Sequence, residues 1–144
     1  FGNPYGEVWN LDVIDKSISK LVDHGFNFIS LSDTIGSATP SIIEKVYQYF
    51  SQKYPEVEFG LHLHTHPKFW RVKIDASFNS GCNRIDGAIQ GFGGCPMASD
   101  NLIGNMPTEK IISYCQEKGV ETNINPLKFE AAYNYASDIF LNYY

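Results

Sequence analysis

The residues of this sequence that most clearly suggest chemistry are two histidines, His62 and His64, at the end of the stretch VEFGLHLH. Over residues 57–64 apolar side chains alternate with polar or small ones, which predicts a β-strand with two different faces. Side chains two positions apart on a strand point the same way, and imidazole is the commonest neutral metal ligand. The pair therefore predicts two ligands of a metal site. The alternative is two histidines packed or hydrogen-bonded inside a sheet.

A long loop over residues 91–105 carries the next candidate. Loops of this length, punctuated by glycine, are more often functional than mere connections. Cys95 lies in this loop between a diglycine and a proline. It could act as an acid, a base or a nucleophile, because a nearby cation would help its thiol to lose a proton. The alternative is that Cys95 is an ordinary small loop residue.

Asn105 ends the same loop. Its amide oxygen could join the two imidazoles on a hard divalent cation such as Mg²⁺ or Mn²⁺. A carboxylate from elsewhere would then complete the protein ligands and leave open positions for substrate oxygens. The alternative is an asparagine that simply precedes the helix beginning in MPTE.

Three other polar residues lie at the ends of predicted elements. Asp33 closes the stretch FNFISLSD, and we interpret it as catalytic, as substrate-binding, or only as the start of an Asx turn. His66 follows the histidine strand, and we interpret it as a loop histidine rather than a third ligand. His24 ends a helix, where its charge suits the helix dipole and requires no further role.

The elements that must position these residues follow from periodicity, caps and breakers. The predicted helices cover residues 11–24, 41–53, 68–79, 108–118 and 126–143, the predicted strands cover 26–33, 57–64 and 84–90, and a short extended segment covers 120–125. Thr39 is predicted as the N-cap of the second helix, with Pro40 at its first position. The residues of the third helix that we expect in the core are Phe69, Val72, Ala76 and Phe78.

The alternation of strands and helices predicts an α/β fold with parallel strands and right-handed crossovers. In such sheets and barrels the chemistry lies at the carboxyl ends of the strands. Asp33, the two histidines and the glycine-rich loop should therefore share one rim. No repeat, low-complexity tract or linker marks a boundary, so residues 1–144 are taken as a single domain.

Composition limits the compartment and the partners. A net charge of −5 gives no electrostatic reason to expect nucleic acid or an anionic membrane, and no apolar run approaches the roughly 20 residues of a membrane span. The 3 cysteines are too widely spaced for a zinc ribbon or a disulfide framework, so we expect Cys82 and Cys115 in the core and a reducing compartment, the cytoplasm. No targeting segment is visible, and the opening FGNPYGEVW suggests a piece of a longer protein.

Several segments together resemble the C-terminal half of the 3-hydroxy-3-methylglutaryl-CoA lyase family. They are FGNPYGE, ISLSDTIGSATP, GLHLHTH, GFGGCPMAS, the GN at residues 104–105 and the PTE at residues 107–109. That family belongs to a superfamily of metal-dependent TIM-barrel lyases and acyl-CoA condensing enzymes. The resemblance covers essentially the whole chain. It implies the C-terminal part of a (β/α)8 TIM barrel, about strands 6 to 8 with their helices, with the N-terminal half of the barrel absent. A complete barrel takes about 250 residues.

The resemblance also implies a set of site residues: metal ligands His62, His64 and Asn105, and catalytic residues Cys95, Asp33 and Glu109. The implied cofactor is a divalent cation, Mg²⁺ or Mn²⁺, that holds and polarises the hydroxyl and carbonyl oxygens of the substrate. The implied reaction cleaves 3-hydroxy-3-methylglutaryl-CoA to acetyl-CoA and acetoacetate. A base takes the hydroxyl proton as the C–C bond breaks, and Cys95 helps to deliver a proton to the acetyl-CoA enolate.

Some positions depart from the family's pattern. The arginine–aspartate pair of the first barrel strand, which includes one metal ligand, has no counterpart in this chain. Thr65 replaces the usual Asp or Asn, Lys68 replaces a glycine, Gly87 and Ala88 replace a more polar pair, and the loop before Asn105 is one residue longer. These changes cluster around the site. They suggest an altered substrate, such as another branched 3-hydroxyacyl compound or a 2-hydroxy acid, or an aldol-type cleavage without CoA.

Three functions follow for comparison. The first is a carbon–carbon lyase that acts on an acyl-CoA or hydroxy-acid substrate, provided that the other half of the barrel is supplied. The second is an acyl-CoA condensing enzyme similar to isopropylmalate or homocitrate synthase. The third is a non-catalytic half-barrel or binding fragment. A homo-oligomer is possible for each of them.

Overall fold

A computed structural model describes residues 1–2, 5–94 and 103–141. The helices are α1 (Leu11–Asp23), α2 (Pro40–Lys53), α3 (Trp70–Asn79), α4 (Thr108–Glu117) and α5 (Pro126–Leu141), with a 3₁₀ turn at Ile89–Gly91. The strands are β1 (Phe28–Asp33), β2 (Glu58–Thr65), β3 (Ile85–Asp86) and β4 (Gly104–Asn105). None of the helices in these described ranges is long and apolar enough to cross a membrane.

Local capping explains where the first two helices begin. The side chain of Asn10 accepts a hydrogen bond from the Val13 amide at 2.9 Å, which satisfies one of the free N–H groups at the start of α1. Thr39 does the same for the Ile42 amide at the start of α2, and Pro40 occupies the first helical position. The N-cap and the proline position predicted for α2 are therefore confirmed.

The three strands β1, β2 and β3 run parallel in that spatial order. The register pairs Ser32 with His62, and His62 in turn with Asp86 on β3. Strand β4 adds to the end of β2 in the antiparallel sense, pairing Asn105 with His64. The parallel sheet is confirmed, whereas the β4 pairing was not predicted from the sequence.

The core lies between the sheet and the helices that cover it. Ile43, Val46 and Phe50 lie on one face of α2, where each is at most 1% exposed. They form a common cluster with the apolar side of β2, which includes Leu61 and Leu63. Burial of such side chains drives folding, and truncating a buried phenylalanine to alanine typically costs about 3–5 kcal/mol. The opposite face of the sheet is more exposed and carries the polar residues of the site.

The third strand is shorter than predicted, because regular pairing with β2 ends at Asp86. Beyond it Ala88 pairs with Pro107 instead, and its amide donates to the Met106 carbonyl at 3.0 Å. Gln90 then adopts φ 59, a left-handed conformation that no strand can contain. The predicted strand over 84–90 was therefore wrong in its second half. The segment over 120–125, predicted as short and extended, belongs to no strand or helix, and Asn123 within it has φ 54.

The core face of α3 also differs from the prediction. Of the four residues expected inside, Ala76 is buried, but Phe69 is 57% exposed, Val72 is 46% exposed and Phe78 is 38% exposed. The helix instead buries Lys73, which is 4% exposed. A hydrophobicity pattern cannot anticipate this orientation, because it depends on a buried carboxylate elsewhere in the fold. Cys82 is buried as predicted, whereas Cys115 is only partly buried.

Candidate metal centre at the carboxyl ends of the strands

His62 and His64 lie together at the carboxyl end of β2. Their ring centroids are 5.2 Å apart and the ring planes meet at 75°. His64 is 7% exposed, whereas the side chain of His62 is 36% exposed. The alternating pattern in the sequence therefore places two imidazoles side by side, one sheltered and one accessible.

The tautomer of His64 follows from its hydrogen bond. Its Nδ1 lies 3.0 Å from the backbone carbonyl oxygen of Asp33. A carbonyl oxygen can only accept, so Nδ1 must carry a proton, and in the neutral ring the lone pair is then on Nε2. Histidines that bind metals usually donate their other ring N–H to such an oxygen, which fixes the ring and raises its basicity. His64 therefore has the arrangement that a metal ligand requires.

His62 faces a carboxylate through the same ring atom. Its Nδ1 lies 3.6 Å from Oδ2 of Asp86, and the register places the two residues opposite each other. That distance exceeds a hydrogen bond, so the two groups are close neighbours without being hydrogen-bonded. Ser30 donates a hydrogen bond of 2.9 Å to the same carboxylate oxygen. Asp86 is therefore held beside His62, in a role that sequence reasoning missed.

Asn105 reaches the histidines through β4. Antiparallel pairing places it directly opposite His64, and paired residues project to the same side of a sheet. Its side-chain nitrogen donates to the Phe92 carbonyl at 2.8 Å. Because that oxygen can only accept, the contact orients the amide and turns Oδ1 away from this carbonyl. Oδ1 is the atom with which an asparagine binds a hard cation.

The three predicted ligands thus converge at the ends of β2 and β4. Two neutral imidazoles and one amide oxygen suit a divalent cation that keeps further positions open. Within residues 1–2, 5–94 and 103–141, no group of three His, Cys, Asp or Glu side chains is arranged to hold a metal ion. His62, His64 and Asn105 would therefore supply only part of the ligand shell of a divalent cation.

The Asp33 carboxylate is separated from this cluster. Asp33 pairs with Leu63, so its side chain shares the helix-packed side of the sheet, and it is 0% exposed. Its Oδ2 accepts from Lys73 Nζ at 2.7 Å and from the Ala38 amide at 3.1 Å. Its Oδ1 has no hydrogen-bond partner in the part of the chain that the structure describes. The catalytic role of Asp33 stays a prediction, while its backbone carbonyl orients His64.

Glu109 lies in the first turn of α4 and is partly buried. Its Oε2 accepts a hydrogen bond of 2.9 Å from the backbone amide of Gln90. The Gln90 side chain in turn donates to the Tyr133 carbonyl at 3.1 Å and to the Ser137 hydroxyl. Glu109 thereby joins the 3₁₀ turn to α4, and its predicted catalytic role stays a prediction.

The structure describes two of the three cysteines, Cys82 and Cys115. Cys95, the predicted catalytic cysteine, lies outside the described residues. The Cys82 thiol donates to the Arg84 carbonyl at 3.1 Å, and burial raises the pKa of this thiol. Burial also raises the pKa of Cys115. Neither of these two thiols is activated.

A polar chain that sequence reasoning missed runs along the exposed face of the sheet. Arg84 donates to Ser30 Oγ at 3.3 Å and to the Glu58 carbonyl at 3.2 Å. Its Nε lies 3.2 Å from Glu58 Oε1 without hydrogen-bond alignment, so that contact is an ion pair without a hydrogen bond. Ser30 then bonds Asp86, which faces His62. Only the strand register reveals this chain, because its members come from three separate strands.

The chain is similar to known lyases along most of its length. The family model described as HMGL-like matches residues 8–135. The hydroxymethylglutaryl-CoA lyase of Bacillus subtilis is 29% identical over 132 residues, which is 92% of this chain and 44% of that protein. The (R)-citramalyl-CoA lyase of Chloroflexus aurantiacus is 28% identical over 137 residues, which is 95% of this chain and 43% of that protein.

Solved structures of HMG-CoA lyases have a similar fold. The crystal structure of the Bacillus subtilis HMG-CoA lyase superposes with a TM-score of 0.86 at 28% identity, covering 96% of this chain and 46% of that one. An HMG-CoA lyase of Acinetobacter baumannii, in complex with coenzyme A and 3-methylmalate, gives a TM-score of 0.76 at 28% identity, covering 87% and 41%. The chain spans less than half the length of these relatives. The fold is the partial TIM barrel predicted from the sequence, and the chain belongs to the HMGL-like family.

Proposed function

We propose that the protein is a divalent-metal-dependent carbon–carbon lyase that cleaves 3-hydroxy-3-methylglutaryl-CoA or a closely related hydroxyacyl-CoA. The observation that carries this proposal is the environment of His64. Its Nδ1 donates to the Asp33 carbonyl, so its Nε2 lone pair is available beside His62 and opposite Asn105. A packed histidine can make the same hydrogen bond, and what supports a metal ligand is that bond together with the second imidazole beside it and the asparagine opposite it.

The proposed substrate class rests on the relatives. The named activities of the similar proteins are hydroxymethylglutaryl-CoA lyase and (R)-citramalyl-CoA lyase, both of which name a CoA thioester. One similar structure contains coenzyme A with 3-methylmalate. In the proposed reaction the substrate hydroxyl loses its proton and the adjacent C–C bond breaks. The electron pair forms the enolate of acetyl-CoA, which then takes up a proton, and the other product is a ketone such as acetoacetate.

The residues of this chain divide into ligands and supports. We propose His62, His64 and Asn105 as the ligands, with the remaining ligand from a part of the barrel that this chain does not cover. When bound, a divalent cation supplies Lewis-acid polarisation of the substrate oxygens. Asp86 provides the negative charge beside His62, and Cys95 is proposed as the proton donor to the enolate.

The first test measures metal content and turnover of the protein expressed from its complete reading frame. His62→Ala and His64→Ala should each reduce bound Mn²⁺ and lower lyase activity by at least about 100-fold, since losing a ligand removes both binding and polarisation. His24→Ala is the matched control, because that histidine is exposed at the end of α1 and its ring nitrogen contacts the Lys20 carbonyl of the same helix. Unchanged metal content in both site variants would refute the proposal.

The second test separates the reaction classes. The protein is offered 3-hydroxy-3-methylglutaryl-CoA, citramalyl-CoA, and acetyl-CoA with a 2-oxo acid, and the products are identified by mass spectrometry. Cleavage of a hydroxyacyl-CoA that is largely lost in Cys95→Ala supports the lyase. Condensation of acetyl-CoA that survives Cys95→Ala indicates a synthase instead. Failure to turn over any of these substrates indicates a non-catalytic protein.

A further inference from the structure

Lys73 is a buried lysine whose side chain points into the fold from α3, where it is 4% exposed. Its Nζ lies 2.7 Å from Asp33 Oδ2, 2.9 Å from the Gly36 carbonyl and 2.8 Å from the His64 carbonyl. These three contacts come from the end of β1, the loop after it, and the end of β2. A single amine therefore joins the carboxyl ends of two neighbouring strands.

The contacts determine the charge of Lys73. All three partners are oxygens that can only accept, so the amine must donate three protons, which only the ammonium form carries. No N–H group of that ammonium is left over for another partner. The charge is balanced by the buried Asp33 carboxylate, whose Oδ2 also accepts from the Ala38 amide. Removing one partner of such a buried pair is strongly destabilising.

His64 is held at two points by this arrangement. Lys73 holds the backbone carbonyl of His64, and the backbone carbonyl of Asp33 holds its Nδ1. Because Lys73 also binds the Asp33 side chain, the three residues form a closed ring of hydrogen bonds. Such a ring fixes the imidazole against both translation and rotation. It also preserves the tautomer that leaves Nε2 with its lone pair.

We propose that Lys73 is a positioning residue for His64, acting with Asp33 to hold that imidazole in its Nδ1–H tautomer. The link to metal binding rests on the function proposed above, whereas the link to the tautomer does not. A purely structural role would predict that replacing Lys73 lowers stability but leaves the His64 ring unchanged in the folded protein. The two roles therefore separate in a spectroscopic measurement on the folded, metal-free protein.

The experiment records imidazole ¹H–¹⁵N correlation spectra of the metal-free protein, expressed from its complete reading frame, at one fixed pH. The His64 signals are identified by their loss in His64→Gln. The wild-type protein should show a single Nδ1–H tautomer for this ring. Lys73→Gln removes the charge and one donor, and its His64 ring should show both tautomers in exchange. An unchanged single tautomer in folded Lys73→Gln would overturn the proposal.

Lys53→Gln is the matched control. Lys53 pairs with Asp15 at 2.8 Å, nearly the same distance as the buried pair, but its side chain is 42% exposed and its partner belongs to α1 rather than to a strand of the site. This variant should leave the His64 signals unchanged. If both variants altered His64 equally, the effect would reflect a general loss of lysine charge, and the proposal would fail.

Mn²⁺ titration gives the second measurement. If wild-type protein binds Mn²⁺, Lys73→Gln should raise the dissociation constant by about 10-fold to 100-fold, which is the usual effect of removing a partner that orients a ligand. Equal affinity in the folded variant would contradict the proposal. If wild-type protein binds no Mn²⁺, the proposed function fails, and the tautomer measurement still decides the role of Lys73.

A second variant covers the case in which Lys73→Gln does not fold. Combining Asp33→Asn with Lys73→Met leaves no unpaired charge in the interior and should fold more readily. The ring of hydrogen bonds through Nζ is still absent, so the His64 tautomer should again be mixed. A single Nδ1–H tautomer in this folded double variant would equally overturn the proposal.

Discussion

Gly104 lies beside the candidate ligand Asn105 in β4, and the fold leaves no room there for a methyl group. A Cβ at this position would lie 2.7 Å from the Gly91 carbonyl oxygen and 3.3 Å from the Gly93 carbonyl oxygen. Both neighbours are backbone atoms, which cannot rotate away as a side chain can. Ordinary contact begins near 3.4 Å, so Gly104→Ala must move β4 by about 0.7 Å relative to the 3₁₀ turn.

Two opposing effects set the cost of Gly104→Ala. Overpacking that displaces backbone typically costs about 1–3 kcal/mol. Replacing glycine by alanine restricts the unfolded chain and returns about 0.4–1 kcal/mol. The clash outweighs the entropy, and we expect a net loss of about 1–2 kcal/mol in the free energy of unfolding. Because Asn105 moves with β4, Mn²⁺ binding should also weaken by about 10-fold.

Gly60→Ala is the matched control, since a Cβ there would meet Arg84 at 2.8 Å, nearly as close. The atoms it meets belong to the guanidinium, the end of a flexible side chain that can swing towards solvent. We therefore expect a change within about 0.5 kcal/mol in stability, and a loss of Mn²⁺ affinity smaller than in Gly104→Ala, because Arg84 is linked to His62 only through Ser30 and Asp86. Urea unfolding gives the stability of both variants, and Mn²⁺ titration gives their affinity. Wild-type stability in Gly104→Ala, or an equal loss in Gly60→Ala, would refute the reasoning from backbone rigidity.

Three further predictions concern stability and thiol reactivity. Lys73→Met should lower the free energy of unfolding by about 3–5 kcal/mol, because it leaves a buried carboxylate unpaired. Lys53→Met should leave the urea midpoint unchanged, and similar losses in the two variants would contradict the role of burial. Burial and the hydrogen bond to Asp75 raise the pKa of Tyr114 to about 12. The neutral phenol of Tyr114 therefore stabilises the folded state fully below pH ~10, and this contribution declines as the pH rises towards ~12. In urea titrations Tyr114→Phe should flatten this alkaline decline, and an identical decline would count against it. Cys82 should react with iodoacetamide much more slowly in the folded protein than in urea, as peptide mass mapping can check, because burial raises its thiol pKa; equal rates would show that the thiol is accessible.

Much of the site was predictable because its signals are local. The alternation over residues 57–64 places His62 and His64 on one strand, and both lie at its carboxyl end as expected. The cap at Thr39 and the proline after it predict the start of α2, because capping depends on residues within a single turn. The recurrence of strands and helices predicts parallel pairing, which the register of β1 and β2 confirms.

The failures share one physical cause, which is dependence on partners distant in the chain. Lys73 and Asp33 are 40 positions apart, and each is buried only because the other is present. The apolar pattern of α3 predicts a different inner face, with Phe69 inside, because such patterns treat lysine as a surface residue. Asp86 faces His62 only through the register between β2 and β3, which no local pattern specifies.

The sequence by itself determined the helices α1 to α5, the strands β1 and β2 with their parallel direction, and the identity of the candidate ligands. Those properties depend on periodicity, caps and residue chemistry, all of which act over a few neighbouring positions. Only the tertiary structure decided that Asn105 lies opposite His64, that the Asp33 side chain faces away from the two imidazoles, and that Lys73 is buried. Those outcomes depend on strand register and on the pairing of buried charges, because each requires two segments that meet only when the chain has folded.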